Sequence, residues 1–412
     1  MNGKVSKTKI IRACTVPASL SFIKGMIPDL AEKYEVILLS SPGYDWHELD
    51  SVIEKFRGVE IPMARKISIK EDLKSLIKVY KLFRKEKPDL VHSMTPKAGL
   101  ICMLAAWLAR VPIRIHMFTG LVFPTSTGLK RKILMATDWL TCACATHIIP
   151  EGEGVKKDLL TNGITKKDIR VLGYGNCKGI DLDYFDPSLN YEIAPYPPKN
   201  KLPKLFEVEQ SSEFAKGQYL KPYKIPNTFT FIVIGRLAGD KGINELIAAY
   251  SKIHTEYPDT RLILLGHTEG KGDPLKSETL SVIRSDDSID AVGLQYDIRP
   301  WVSVADVAVL ASYREGFPNA VIECGAMGLP QIVTDINGAN EIIIEGKNGT
   351  IVPPKDSKAL YEAMKRMIDD SEWRNSLASN ARGMIATRYE RIFVQQCLYD
   401  FYDKVIEEQF ET

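Results

Sequence analysis

No apolar run in this 412-residue sequence is long enough to cross a bilayer. The longest apolar helix candidate, Leu100–Ala109, has half of the roughly 20 residues a span requires. The first residues, Met1 to Cys14, also lack the long apolar core of a secretory signal, so a cytoplasmic protein is expected. Cysteine is sparse and badly arranged for cross-linking: Cys14, Cys102, Cys142, Cys144, Cys177, Cys324 and Cys397 form an odd, scattered set without a C-x-x-C pair. That argues against a disulfide framework and against a zinc site, and free thiols in a reducing compartment are expected. No His, Cys or Asp cluster has metal-ligand spacing. No basic stripe is interleaved with aromatics, and no nucleic-acid motif occurs, so nucleic acid is not an expected partner. There is no internal repeat and no low-complexity segment.

What is present is the composition of a soluble globular protein, 45% hydrophobic and 26% charged. The length asks for two domains. The net charge of +2 conceals an asymmetry: through Pro187 there are 29 Lys/Arg against 20 Asp/Glu, and beyond it 25 against 32. A basic first part suits anionic lipid surfaces or phosphate-bearing acceptors, with an ordinary solvated surface as the other reading.

The first part alternates short apolar runs with helical periodicity. Strands are expected at Lys9–Ala13, Glu35–Ser40, Asp89–Ser93, Ile113–Phe118, Thr146–Ile149 and Ile169–Leu172. Helices are expected at Pro17–Lys33, Ile67–Lys87 (with a heavily basic face), Lys97–Ala109, Leu129–Ala143 and Gly154–Asn162. This is the pattern of a doubly wound parallel sheet. From about Asp186 to Asn227 it breaks into a proline-rich stretch with Pro195, Pro197, Pro198, Pro203, Pro222 and Pro226. The alternation restarts at Thr228 and closes with three helical patterns, Ser357–Asp369, Ser371–Thr387 and Glu390–Phe410. The expected division is 1–187, a linker or excursion at 188–227, a second α/β domain at 228–389, and a C-terminal helix at 390–412 packing back on the first domain.

Two motifs carry chemistry. The run Ser312 to Pro330, S-Y-R-E-G-F-P-N-A-V-I-E-C-G-A-M-G-L-P, follows a short apolar strand and reads as loop then helix. Glu315 and Glu323, eight apart, can face one side. The helix N-terminus offers N–H groups and a positive dipole end. Backbone donors beside two carboxylates suit a phosphate joined to hydroxylated groups, as in a sugar nucleotide. The run Gly235 to Gly242, G-R-L-A-G-D-K-G, leaves the first strand of the second domain. There Arg236 and Lys241 are placed for anionic phosphate. The other reading of Glu323 alone is a helix-surface glutamate, and of Arg236 and Lys241 alone two charges on a surface loop.

Together G-R-L…D-K-G and E-G-F-P-N-A-V-I-E resemble the retaining glycosyltransferases of family 4. The likeness extends to Ser93–Leu100, Arg110–Gly120 and Gly175–Pro187, which are similar to bacterial members that build capsule, O-antigen or lipid-linked oligosaccharides. It covers most of the chain apart from the proline-rich stretch. The resemblance implies an α/β fold of the GT-B type, two Rossmann-like domains with an interdomain cleft. It implies a hexosyl- or N-acetylhexosaminyltransferase using a nucleotide sugar, with UDP expected. The acceptor would be a growing glycan, lipid-linked through undecaprenyl diphosphate, with the protein peripheral on the inner face of the membrane.

By that resemblance Arg236 and Lys241 hold the donor diphosphate and Glu315 binds sugar hydroxyls. Gly235 lines the phosphate loop. The backbone of Gly316, Phe317, Pro318 and Asn319 meets sugar and phosphate, Glu323 binds the ribose, and His116 faces the donor sugar. Taken alone, His116 on an apolar strand is more often a satisfied core histidine. His92 is the weaker candidate of the two.

One departure stands out. Many family members carry Gly-Gly after the first strand, where this chain has C-T-V-P-A-S-L, Cys14 to Leu20, leaving Thr15 or Ser19 as substitutes. Asp181-Leu182-Asp183 spells D-x-D but sits in a turn and is discounted as a metal motif; no metal or other cofactor is expected. The apolar Leu100–Ala109 helix reads as core more than as a membrane-docking element, and the basic helix is the better docking candidate. Rival readings are a sugar-nucleotide epimerase or phosphorylase on the same fold, or a non-catalytic nucleotide-sugar-binding subunit. No pyridoxal lysine is identifiable for a phosphorylase. An epimerase would convert its donor without an acceptor.

Overall fold

The computed structural model describes residues 7–64, 68–193, 222–268 and 273–410. The expected helix start at Ile67 and most of the proline-rich stretch lie outside these. The chain forms two compact units, Met1–Gly179 with Arg391–Thr412, and Ile180–Glu390.

The first unit is built on β1 (Lys9–Ala13), β2 (Glu35–Ser40), β3 (Arg57–Glu60), β4 (Leu90–Met94), β5 (Ile113–Phe118) and β6 (His147–Pro150). They form one parallel sheet in the order β3-β2-β1-β4-β5-β6. Burial on both faces explains the apolar run of β2, whereas β1 and β4 bury Arg12, His92 and Ser93 among their apolar residues. One face is covered by a layer of helices, Ile69–Glu86, Pro96–Ala109 and Gly128–Cys144. Their core sides meet in one cluster through Val79 and Phe83, Ile101 and Cys102, and Cys142. The Pro96–Ala109 helix is core: Ala98, Gly99, Ile101, Cys102, Met103, Ala105 and Ala106 are buried, and only its end exposes Trp107 and Leu108. The other face is covered by Pro17–Lys33 and by the C-terminal helix, through Ile23, Ile27, Leu398 and Tyr402.

The second unit repeats the plan with β7 (Phe229–Ile234), β8 (Thr260–Leu265), β9 (Ile289–Gly293), β10 (Val307–Leu310), β11 (Gln331–Thr334) and β12 (Gly349–Val352). Its parallel order is β12-β11-β10-β7-β8-β9.

Three local expectations are corrected. Pro17–Lys33 is a 3₁₀ helix to Met26 followed by a short α-helix, Ile27–Lys33. Ile169–Leu172 is not a strand; Ile169 is apolar because it is buried in the core under the sheet, without a ladder partner. The edge strand Arg57–Glu60 is missing from the sequence reading, since three of its four residues face solvent and no apolar alternation announces it. All seven cysteines are unpaired thiols.

Candidate active site

Both sheets reverse their strand order between the first and fourth strands. Ligands of open α/β sheets collect outside the carboxyl ends of the strands at that reversal. In the second unit it lies between β7 and β10. The loops leaving these two strands carry Gly235–Gly242 and Ser312–Asn319, so topology brings the two motifs together.

Gly242 makes their close approach possible. Its φ is 68°, and a Cβ there would stand 1.9 Å from the Ala311 carbonyl oxygen. The Tyr313 amide then donates to the Asp240 carbonyl at 2.8 Å. This backbone contact seats Lys241 beside Glu315, with Nζ 2.5 Å from Oε1. Both side chains are about four-fifths buried, at 20% and 17% exposure. Ser312, itself buried, donates from Oγ to the same Glu315 oxygen at 2.8 Å. Its own carbonyl accepts from Thr334 Oγ1 at 2.6 Å. The Glu315 carboxylate is thus held from two sides.

Asp240 organises the cations. Its carboxylate accepts from Arg236 at 3.5 Å and from Arg314 at 3.1 Å. Its amide donates to Asp273, whose carbonyl also accepts from the Gly239 amide. Arg236, Lys241 and Arg314 therefore surround a pair of carboxylates. An arriving diphosphate would meet three cations already oriented. Asp240 and Arg314 lie inside the two motifs, yet only the fold shows that one clasps the other.

The loop also leans on the turn that follows β11. Gly338, with φ 76°, brings its Cα so near the Gly316 carbonyl that a Cβ would be 2.4 Å from the oxygen. Phe317 is buried and packs edge-to-face on Tyr389 at 5.5 Å. Its side chain anchors the loop, so what Phe317 can offer a ligand is backbone. The helix Asn319–Ala326 begins there and carries half-buried Glu323 in its second turn. Tyr184, half-exposed, lies near enough to feel that carboxylate. Burial first, then the charges of Asp297 and Glu323, push its phenol up, and Arg299 stacked on the ring opposes them.

His116 belongs to the first unit. It is buried on β5, its Nδ1 is 2.8 Å from Ser93 Oγ on neighbouring β4, and its ring packs against Phe118 and Gly99. Burial pulls its pKa down to about 3, so the imidazole is neutral. His92 is buried as well, with Nδ1 2.6 Å from the Tyr402 hydroxyl of the C-terminal helix.

At the strand-order reversal of this unit, between β1 and β4, lies Thr15, in the loop that leaves β1. Its hydroxyl is 2.7 Å from that of Thr95 and accepts from the Ala98 amide at 3.1 Å. Thr95 itself takes φ 70°, a strained value for a β-branched residue. Asp181 of the D-x-D run accepts from the amides of Asp183 and Tyr184, so its carboxylate closes a turn. Among the described residues no group of three or more His, Cys, Asp or Glu side chains could hold a metal ion.

Two family models match the chain. Glycosyltransferase Family 4 covers residues 22–176 and Glycosyl transferases group 1 covers 228–370. The chain is 30% identical over 402 residues to the capsular polysaccharide biosynthesis glycosyltransferase CapM of Staphylococcus aureus, spanning 97% of this chain and 98% of that one. The chain belongs to glycosyltransferase family 4. It is also 28% identical over 361 residues to the Escherichia coli UDP-Gal:alpha-D-GlcNAc-diphosphoundecaprenol alpha-1,3-galactosyltransferase, covering 86% and 85% of the two chains. Among solved structures, Anabaena Alr3699/HepE in complex with UDP superposes with a TM-score of 0.72 at 18% identity over 96% of this chain and all of that one. That likeness establishes the GT-B fold. As a family 4 glycosyltransferase the protein is an enzyme. Arg236, Lys241, Glu315 and Glu323 fall in the segment matched by the group 1 family, and His116 in the one matched by family 4.

Proposed function

We propose that this glycosyltransferase is retaining and moves a hexosyl or N-acetylhexosaminyl unit from a UDP-sugar to a growing, undecaprenyl-diphosphate-linked glycan. The observation that carries the reading is the placement of Lys241 against Glu315, with Arg236 and Arg314 on Asp240, at the strand-order reversal of the second unit. The activity of the Escherichia coli relative supports the UDP-sugar and the lipid-diphosphate acceptor. That of the Staphylococcus aureus relative supports a role in surface polysaccharide synthesis.

In this reading Arg236 and Lys241 neutralise the donor diphosphate, Glu315 accepts hydrogen bonds from sugar hydroxyls, and Glu323 accepts from the ribose. The bond from C1 to the β-phosphate oxygen breaks as positive charge develops on the sugar ring. The acceptor oxygen bonds to C1 on the same face, and its proton passes to the departing phosphate oxygen. The cations matter most as negative charge grows on that phosphate, which is where preorganised electrostatics lowers a barrier. His116 enters as a neutral hydrogen-bonding group and not as a proton shuttle. The countercharge comes from side chains, and no metal is needed. The enzyme would work at the inner face of the cell membrane.

The test is transfer from a panel of UDP-sugars to a short-chain polyprenyl-diphosphate glycan, with the anomeric configuration of the product read by NMR. A new α-linkage from an α-linked donor is expected. An inverted anomer would overturn retention, and an epimerised UDP-sugar formed without acceptor would overturn transfer.

A further inference from the structure

The helix Ile69–Glu86 has two apolar stripes where a globular helix needs one. Ser75, Val79 and Phe83 face the core. Ile69, Leu73 and Ile77 form a second stripe, at i, i+4 and i+8, turned to solvent; Ile69 is 84% exposed and Leu73 55%. Beside that stripe run Lys70, Lys74, Lys78, Lys81, Arg84 and Lys85, all exposed. The acids of this helix do little to offset them. Asp72 is engaged by Lys97 and Glu86 by Lys9 and Arg57, leaving Glu71 as the exposed carboxylate, 2.9 Å from Lys74.

The arrangement recurs in the same helical layer. The helix Gly128–Cys144 exposes Leu129, at 73%, together with Ile133, Trp139, Lys130 and Lys132, and its one carboxylate, Asp138, is buried. Single exposed apolar residues are ordinary. A repeated solvent-facing apolar stripe edged by cations, on two helices of one layer, is the pattern of an element that lies in a lipid interface. There the apolar side chains enter the acyl boundary and the lysines reach up to anionic headgroups.

We infer that the outer faces of the Ile69–Glu86 and Gly128–Cys144 helices form a docking surface for an anionic lipid bilayer. This rests on the reading that the acceptor is lipid-linked, and it adds where the membrane is met and what lipid charge is required. Charge favours lipid over a second copy of this chain, since two copies pairing through this face would set lysine against lysine.

The experiment is co-sedimentation of the full chain with vesicles of phosphatidylcholine alone and of phosphatidylcholine mixed with phosphatidylglycerol. Binding is expected on the anionic vesicles only, weakening as salt is raised. Lys70→Glu/Lys74→Glu/Lys78→Glu should reduce partitioning by about a hundredfold or more. Leu73→Glu/Leu129→Glu should also release the protein, and its unchanged melting temperature would show that folding is intact. Neither variant touches the donor site, so transfer to a water-soluble acceptor should stay at the wild-type rate. Binding that neither variant weakens, or that is equal on neutral vesicles, would overturn the inference. So would a wild-type dimer that these variants render monomeric, with no vesicle binding. If vesicles bind as expected but no transfer is seen with any acceptor, the functional reading fails and the docking surface stands.

Discussion

Lys241 Nζ lies 2.5 Å from Glu315 Oε1, so the cation assigned to the diphosphate and the carboxylate assigned to the sugar are partners before any donor arrives. In the proposed function, a donor entering this site would exchange one anionic partner of Lys241 for another. The charge would therefore already be aimed, leaving little reorganisation for the reaction. Lys241→Ala should lower kcat/KM by about 10²- to 10³-fold. The pair is only partly buried, so the melting temperature should fall by no more than a few degrees, about 1 kcal/mol. Glu315→Gln keeps a hydrogen-bond acceptor and should cost less than Glu315→Ala. Steady-state kinetics with a fixed acceptor checks both. A Lys241→Ala enzyme within twofold of wild type would remove Lys241 from the site.

Gly242 offers a test of how the site is assembled. Alanine there must adopt a φ of 68° and place its Cβ 1.9 Å from the Ala311 carbonyl oxygen. One of the two loops has to move, at a cost of about 3 kcal/mol or more. Because the Tyr313–Asp240 backbone bond beside it aligns Lys241 with Glu315, donor affinity should fall together with stability. Calorimetric titration with UDP and a thermal melt on Gly242→Ala should both shift. A stable variant with intact UDP affinity would show that the loop contact is dispensable.

Much of this was legible in the sequence, for reasons specific to particular residues. Strands such as Glu35–Ser40 and Val307–Leu310 are buried on both faces and so stand out as apolar runs. Arg236, Lys241 and Glu315 follow such strands directly, so motif and sheet edge point to one place. Arg57–Glu60 pairs by backbone alone and leaves no side-chain signature. The clasp of Asp240 on Arg314 joins residues 74 apart, and the approach of Gly338 to Gly316 depends on where β11 lies. Neither follows from local spacing. The burial of His116 against Gly99 is likewise a property of helix packing, which residue type alone leaves open.

The D-x-D run should prove structural. Asp181 accepts two backbone amides, so Asp181→Ala should cost about 1 kcal/mol of stability. Its kcat should not change. Transfer measured in EDTA should match transfer in magnesium if, as proposed, Arg236 and Lys241 supply the positive charge. A rate that collapses in EDTA and returns with a divalent cation would overturn this.

Two buried groups of the first unit should shape the pH dependence of stability with opposite signs. Burial raises Asp138 to about 7, so between roughly pH 4 and 7 the folded state holds a proton that the unfolded chain has lost. Its effect is to lower stability as pH rises through that window. Asp138→Asn removes the penalty, so it should stabilise most above about pH 7 and little near pH 4. His116 works the other way. Its folded pKa of about 3 lies below its ordinary 6.5, so the unfolded chain binds the extra proton in between. Stability from the neutral ring is complete above that ordinary value and is lost as the pH falls toward the folded one. His92, buried and lowered in the same direction, adds to the acid limb. His116→Gln should make the decline of melting temperature with acid shallower, whatever its effect at neutral pH. A slope unchanged in that variant would mean that the ring is protonated or solvated in the folded enzyme, contrary to its packing against Ser93, Phe118 and Gly99.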